Sequence, residues 1–321
     1  VSGKLMESEV RAQPDILAAQ APSYEQAAKK IAEQLKGREI ELVLIAARGS
    51  SDHAALYARY LIEIVLGIPV SLAAPSVLTR YGKRVKYQNT LAIGISQSGA
   101  APDVAEVLTA AREEGHPTVS ITNTAGSRLT TAAEHTILLE AGIECSVAAT
   151  KTYTASLLAL YQLIRALDPL GQLPDPTQYL PTSQWVEETE QAAQAGFGIL
   201  TRSNPVLSLA RGISYCSAQE TALKLMECAL IPAKSYSTAD FQHGPRAIAG
   251  AGSSAIVFGE APEGLAEQGC TLVQAPAPPA PEPLAPIWEI VFGQWLALFA
   301  ARGRGLDPDR PQHLSKVTQT L

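Results

Sequence analysis

A short pattern occurs twice in this chain. Ala47-Arg48-Gly49-Ser50-Ser51 returns 163 residues later as Ala210-Arg211-Gly212-Ile213-Ser214, and Ile68-Pro69 returns at the same offset as Ile231-Pro232. Each copy has a short apolar run before the Arg-Gly turn and a helix-length segment after it. A strand, a turn, a helix and an Ile-Pro exit that recur without a gap mean that a whole domain has been duplicated, since solenoid repeats are several times shorter. Two copies of one domain must share an element order, and no other feature of the chain restricts the fold as much.

The element order is α/β. Glu41 to Ala47 reads as a buried parallel strand, and a helix is expected from about His53 to Leu66. Further strands are expected at Val70–Ala73, Leu91–Ile95, Thr118–Thr122 and Thr136–Leu139, separated by helical segments, with a long helix from Ala148 to Leu167. Alternation of this kind builds a doubly wound, mostly parallel five-stranded sheet with helices on both faces. The second copy restarts after Asp168–Pro181, whose five prolines and glycines make it a linker. It offers a helix at Ser183–Arg202, a strand at Val206–Ala210, a helix at Tyr215–Leu230, a strand at Ala255–Phe258, an Ala/Pro-rich connector at Gln274–Pro286 and a last helix at Ile287–Ala301. The expected organisation is a helical segment over 1–36 interrupted by Pro14 and Pro22, a first domain over 37–168, a linker over 169–181, a second domain over 182–304, and a tail over 305–321 that reaches the active site.

Composition excludes several classes of function. The chain has 321 residues, 46% hydrophobic and 17% charged, which is globular rather than disordered. A net charge of −6 argues against nucleic acid as a partner. No uninterrupted apolar run approaches the roughly 20 residues of a membrane span, so no membrane partner is expected. The N-terminus lacks a basic-then-apolar signal pattern. Cys145, Cys216, Cys228 and Cys270 form no C-x-x-C pair, so neither a metal site nor a redox pair is expected. They read as buried small apolar residues of a reduced, cytoplasmic protein.

Within the first copy, the strand Leu91–Ile95 runs into Ser96-Gln97-Ser98-Gly99, and Pro102 opens the next helix. Such a loop aims backbone N–H groups and hydroxyls at one point above a helix N-terminus, where anions bind. It is neither a Walker loop nor a dinucleotide fingerprint; alone it reads either as a phosphate cradle or as an ordinary strand-to-helix turn. The second copy has Phe258-Gly259-Glu260 at the corresponding place, so the candidate phosphate loop exists once.

In the second copy, Glu220, Lys224 and Glu227 share one helix face. They read as a solvated charge stripe or, if the helix starts at a crevice, as acid/base groups whose partly dry setting raises a carboxylate's proton affinity. His243 lies among polar residues before a Gly-Pro turn. His53, His116, His135 and His313 read as structural or solvent-facing. Thr150-Lys151 opens a helix, and Lys316, near the C-terminus, would by itself be a solvated lysine.

Taken together and in order, these motifs resemble tandem sugar-isomerase (SIS) domain proteins from Glu7 to Leu321. They are Arg48-Gly49-Ser50-Ser51, Ser96-Gln97-Ser98-Gly99, E-x-x-V-A-x-T-K over Glu144–Lys151, E-x-A-L-K-L-x-E over Glu220–Glu227, His243-Gly244-Pro245 and Leu314-x-Lys316. The resemblance is to the isomerase part of glutamine–fructose-6-phosphate aminotransferase and, more closely, to stand-alone glucosamine-6-phosphate deaminases of SIS type. It implies two tandem SIS domains and a small sugar phosphate as ligand. Ser51, Ser96, Gln97 and Ser98 would hold the phosphate, with Gly49, Ser50, Val147, Ala148, Glu220 and Ser315 completing the substrate-binding set. Glu227 would move a proton between C1 and C2, and Lys224 joins it in the catalytic set. His243 would open the sugar ring, contributed by a neighbouring subunit, which implies a homodimer with a shared active site. Lys316 would reach the sugar carbonyl. Ring opening and one proton transfer between adjacent carbons need no metal or organic cofactor.

No cysteine precedes Cys145 and only about 40 residues precede the first strand, so the chain is expected to lack the aminotransferase's glutaminase domain. Arg48 stands where that enzyme's pattern has cysteine, and the Lys316–Leu321 ending resembles the deaminases. The expected reaction is therefore glucosamine 6-phosphate plus water to fructose 6-phosphate plus ammonia. Ala100-Ala101 removes a usual hydroxyl, worth about 1.5–3 kcal/mol if charge-assisted, and Lys234 replaces the aminotransferase's glutamate. These departures keep open a deglycase for phosphorylated fructosamines; an isomerase part with a separate glutaminase chain is a further alternative. A non-catalytic sugar-phosphate sensor fits less well, because it has no need of Glu227 and His243 and no DNA-binding segment is spare.

Overall fold

Two parallel sheets organise the computed structural model, which describes residues 2–311 and 313–316. The chain divides into an N-terminal unit, Ile16–Ile143 with Thr152–Gln178, and a C-terminal unit that gathers the residues up to Asp15, Glu144–Lys151 and Tyr179–Lys316. The first 36 residues are thus shared between the units: α1 (Lys4–Arg11) belongs to the C-terminal one, while α2 (Gln13–Leu35) lies mostly in the N-terminal one. Pro22 does not interrupt α2 but lies inside it.

The N-terminal unit continues with β1 (Leu42–Ala46), α3 (Ser50–Leu61), β2 (Val70–Leu72), α4 (Ser76–Thr79), β3 (Thr90–Ile95), α5 (Pro102–Glu113), β4 (Thr118–Thr122), α6 (Arg128–Ala132), β5 (His135–Leu138) and α7 (Lys151–Leu167). Its five strands are parallel in the order β2-β1-β3-β4-β5. β3 and β4 are buried along their whole length, which is why they read as apolar runs rather than alternating strands. Leu44, Ala92, Val104, Leu108 and Leu129 pack α5 and α6 against one face.

The C-terminal unit holds α8 (Ser183–Leu200), β6 (Val206–Ala210), α9 (Tyr215–Ala229), β7 (Ala233–Ser237), α10 (Thr238–Phe241), β8 (Ser254–Val257), β9 (Thr271–Gln274) and α11 (Ala285–Gly303). Its sheet is parallel in the order β7-β6-β8-β9. The repeat seen in the sequence extends to the hydrogen-bond register. Val43 pairs with Val70 and Leu91, and Val206 pairs with Ala233 and Ser254, each partner 163 residues on.

The offset then breaks. Ala92 pairs with Thr118, but Ala255 pairs with Leu272, nine residues earlier than the offset would place it. The lost residues correspond to α5: residues 258–270 contain turns and no helix. The expectation of five strands in each sheet is corrected here, since among the described residues the second sheet has four. After β9 the chain meets Pro276, Pro278, Pro279 and Pro281, which have no N–H to donate to a ladder, and then enters α11.

α11 is apolar on all sides because it is surrounded by protein. The stretch Glu282–Gly303 is long and apolar enough to cross a membrane, yet every residue from Ala285 to Leu298 is buried inside the protein here. Gly293 lets α11 approach α9, since a Cβ there would lie 2.1 Å from Thr221 Oγ1. Gln294 accepts from Gln13 Nε2 at 2.8 Å and donates to the Thr150 carbonyl at 3.3 Å. Glu289 accepts from Ser214 Oγ at 2.8 Å and Ser217 Oγ at 2.7 Å. Burial pushes its carboxyl above the ordinary value of 4.5, and the two serine hydrogen bonds only partly oppose this. A carboxyl with a raised folded-state value stabilises the fold below 4.5, and that contribution is lost as pH rises through the folded value. The melting temperature of the wild type, measured against Glu289→Gln, is therefore expected to fall progressively as pH is raised from 4.5 toward neutrality. A difference independent of pH would contradict the raised value.

Candidate functional site

The predicted phosphate-binding residues all lie in the N-terminal unit, at the carboxyl ends of its two central strands. β1 ends at Ala46, and Gly49 takes φ 57° ahead of Ser50, which opens α3. β3 ends at Ile95 and delivers Ser96, Gln97 and Ser98. The strand order second-first-third puts its ligand crevice between these two strand ends.

The Ser96 loop is fixed from several sides. Ser96 N–H donates to Ile121 O at 3.1 Å, Asn123 N–H to Gln97 O at 3.0 Å, and Leu129 N–H to Gly99 O at 3.0 Å. Ser98 Oγ accepts from Ala100 N–H at 3.3 Å, which leaves its proton free to donate. Among the described residues the N–H groups of Gln97 and Ser98 have no hydrogen-bond partner. Pro102 begins α5 without an N–H, Ala101 before it makes no side-chain cap, and Val104 N–H donates to Asp103 Oδ1 at 2.9 Å, so the free donors here are those of the loop rather than of the helix turn. Arg48 Nε donates to the buried carboxylate of Asp103 at 2.8 Å and ties the Arg-Gly turn to this first turn. The arrangement can receive an anion of two or more charges through N–H and O–H donors.

Gly99 closes the loop at φ 62°, and a Cβ on it would lie 2.1 Å from Ser127 Oγ, the cap of α6. Gly99→Ala is expected to cost on the order of 1–3 kcal/mol of stability and to weaken anion binding, read by thermal melts with and without inorganic phosphate. Unchanged melting and unchanged phosphate stabilisation would show that the loop tolerates a side chain.

The remaining predicted residues belong to the C-terminal unit. Glu220, Lys224 and Glu227 do share one face of α9, and that face is not solvated. The side chains of Glu220 and Lys224 are fully buried, while Glu227 keeps 24% of its exposure. Lys224 Nζ lies 3.2 Å from Glu220 Oε1 and makes a close ion pair with Glu227 Oε2. Burial opposes the charge on Lys224, but the two carboxylates outweigh it and hold its ammonium above the ordinary lysine value. The adjoining Cys228 thiol is pushed up to about 12 by burial, partly offset by Lys224. The arrangement is a carboxylate open on one side and fixed from behind by a buried cation, geometry suited to moving a proton.

The segment Glu144–Lys151 is held by two carboxylates. Glu144 Oε1 accepts from Thr150 N–H at 2.9 Å and Thr150 Oγ1 at 3.1 Å, ahead of α7, and Glu144 Oε2 receives Lys316 Nζ at 2.6 Å. Lys316 is therefore ion-paired rather than solvated. Buried Glu9 of α1 accepts from the N–H of Cys145 and from the N–H and hydroxyl of Ser146. This shapes the turn that carries half-buried Val147 and buried Ala148. Glu9 lies 136 residues from Cys145, and nothing in its local pattern marks it as a partner of that loop. Cys145 itself is exposed, a correction to the expectation of four buried thiols: it lies in this loop and not in a core.

His243 is exposed in the turn after α10, with no side-chain hydrogen bond or ion pair among the described residues. Ser315 is exposed beside Lys316, and the rest of the tail, 317–321, lies outside the described residues. Lys234, on β7, is exposed with its ammonium 5.5 Å from the Tyr236 ring. Among the described residues no group of three or more His, Cys, Asp or Glu side chains could hold a metal ion.

Residues 38–166 match the family described as SIS domain. The chain is 30% identical over 310 residues to the glutamine–fructose-6-phosphate aminotransferase (isomerizing) of Methanothermobacter thermautotrophicus, covering 87% of this chain and 51% of that protein. It spans about half the length of the curated relatives it matches. A solved structure from Silicibacter pomeroyi, a "putative phosphosugar isomerase", superposes with TM-score 0.79 at 28% identity, over 96% of this chain and all of that one. The glucosamine-6-phosphate deaminase of Thermotoga maritima shares the fold, with TM-score 0.75 at 21% identity over 95% of this chain and 100% of that one. The Ser-Gln-Ser-Gly loop at the carboxyl end of β3 lies inside residues 38–166, the region that matches the SIS domain family.

Proposed function

We propose that this chain is a phosphosugar aldose–ketose isomerase that acts as a glucosamine-6-phosphate deaminase, built from two tandem SIS domains. The observation that carries this reading is the Glu220-Lys224-Glu227 cluster, where one partly open carboxylate is backed by a buried ion pair. A sensor would gain nothing from such a group. The Ser96 loop and the α3 turn with Ser51 take the phosphate, which orients the sugar. His243, supplied across a homodimer, opens the ring. Glu227 takes the proton from C2 and returns it to C1, so that the C2 amine becomes an imine. Water adds to the imine carbon, the C–N bond breaks, and ammonia leaves from C2 of fructose 6-phosphate. Lys316, ion-paired with Glu144, meets the sugar carbonyl in this reading.

The test is incubation with glucosamine 6-phosphate, with ammonium and fructose 6-phosphate measured separately. Equal amounts of both support the reading, and no ammonium from the wild type sinks it. A second reading is favoured by one observation: the relatives at 30–32% identity are aminotransferases of about twice this length. In that case the chain would be the isomerase part of such an enzyme. It would convert fructose 6-phosphate and added ammonium to glucosamine 6-phosphate more readily than the reverse.

A further inference from the structure

The Ser96 loop offers an anion hydrogen bonds but no positive side chain of its own. The N–H groups of Gln97 and Ser98 and the Ser98 hydroxyl are neutral donors. The helix turn behind them carries a negative charge. Asp103 is the second residue of α5, and its side chain is only 2% exposed. A phosphate ester carries close to two negative charges at neutral pH. Beside an unpaired buried carboxylate it would be repelled, in a setting where water screens weakly.

Arg48 removes this conflict. Its Nε donates to Asp103 Oδ2 at 2.8 Å, and the other carboxylate oxygen accepts from Val104 N–H at 2.9 Å. Both carboxylate oxygens are occupied and the pair is neutral. A guanidinium has five N–H donors in a rigid fork, of which Nε supplies one. Among the described residues Nη1 and Nη2 have no hydrogen-bond or ion-pair partner. They are not shut away, since 52% of the Arg48 side chain is exposed. The charge is felt in the first turn of α3 as well. Burial raises the Asp52 carboxyl above its ordinary value, and His53 and Arg48 partly oppose this. Arg48 therefore acts on the first turns of both helices that begin at the crevice.

The Arg-Gly turn does not itself require this anchoring. Arg211 has the same place in the second copy, and among the described residues its side chain makes neither an ion pair nor a hydrogen bond. Phe258-Gly259-Glu260 stands there in place of the Ser96 loop, and no helix follows it. The anchored guanidinium occurs where the phosphate loop occurs.

We propose that Arg48 is a direct ligand of the phosphate group. Asp103 fixes Nε, and Nη1 and Nη2 meet two phosphate oxygens. The charge so placed makes the crevice select a dianionic phosphate monoester over a monoanionic ester of the same shape, such as a sulfate. Asp103 is a positioning residue that acts through Arg48. The proposal rests on the reading of the Ser96 loop as a phosphate cradle and names what gives that cradle its charge selectivity.

Isothermal titration of the full chain at pH 8 with glucitol 6-phosphate and glucitol 6-sulfate tests it. Neither compound has a carbonyl, so neither is turned over. The wild type is expected to bind the phosphate at least about tenfold more tightly than the sulfate. Arg48→Met/Asp103→Asn removes the pair as a unit and leaves no buried charge behind. It should bind the phosphate about ten- to a hundredfold more weakly than the wild type and treat the two esters alike. Arg48→Lys has one ammonium to share between Asp103 and the phosphate and no fork; it should lose most of the preference while melting close to the wild type. A double variant that keeps the wild-type preference overturns the proposal, because Arg48 would then only neutralise Asp103. A wild type that does not distinguish the esters overturns it too. If Ser96→Ala/Ser98→Ala bound the phosphate as tightly as the wild type while Arg48→Met/Asp103→Asn did not, Arg48 would stand and the reading of the Ser96 loop would fall. A chain that shows the Arg48 effect yet releases no ammonium from glucosamine 6-phosphate would uphold Arg48 and sink the deaminase.

Discussion

Glu227→Gln is expected to lower the turnover of glucosamine 6-phosphate by about 10²–10⁴-fold, the range contributed by a positioned general acid or base, with little change in KM. On the proposed mechanism the substitution removes the group that carries the proton, while keeping its size. Its amide oxygen can still accept from Lys224, and the buried pair between Lys224 and Glu220 is untouched. A loss confined to kcat therefore reports the proton transfer and not the fold. Ser98→Ala should show the opposite pattern, with KM raised, because a phosphate contact is made equally in ground and transition states. Undiminished kcat in Glu227→Gln would remove Glu227 from the proton transfer even if the chain proved to be a deaminase.

Much of this arrangement is legible in the sequence, for identifiable reasons. The Arg-Gly turns recur because each unit makes the same chain reversal at the end of its first strand, and the paired residues of the two sheets keep the same offset. β1, β3 and β6 are apolar runs because both faces are covered. Other features depend on distant partners. Thr271–Gln274 has only one buried residue and gives no strong strand signal; it is a strand because Ser254–Val257 offers it a ladder. The reassignment of Glu144–Lys151 and α1 to the C-terminal unit is set by Glu9 reaching Cys145 and Ser146, contacts that no local periodicity encodes. The same holds for Lys316, which reads as a solvated tail lysine until Glu144 is seen to receive it.

The charge stripe on α9 shows most clearly what the sequence alone leaves open. The spacing of Glu220, Lys224 and Glu227 is the same for a solvated face and for a buried cluster, and only burial separates them. Lys224→Met provides the strongest test of that burial. On a solvated face it would change stability by a few tenths of a kcal/mol. Here it removes the cation from a fully buried carboxylate, Glu220, and a change of this kind costs about 3–5 kcal/mol. Chemical denaturation should show the loss as a shift in midpoint at unchanged slope. Glu220→Gln added to Lys224→Met should recover much of it, because the uncompensated charge is then gone while the volume is kept. The double variant should refold yet remain poorly active, since Glu227 has lost the ammonium that fixes it from behind. If the single variant were as stable as the wild type, the buried cluster would not exist in solution, and Glu227 would lose its claim to a fixed position.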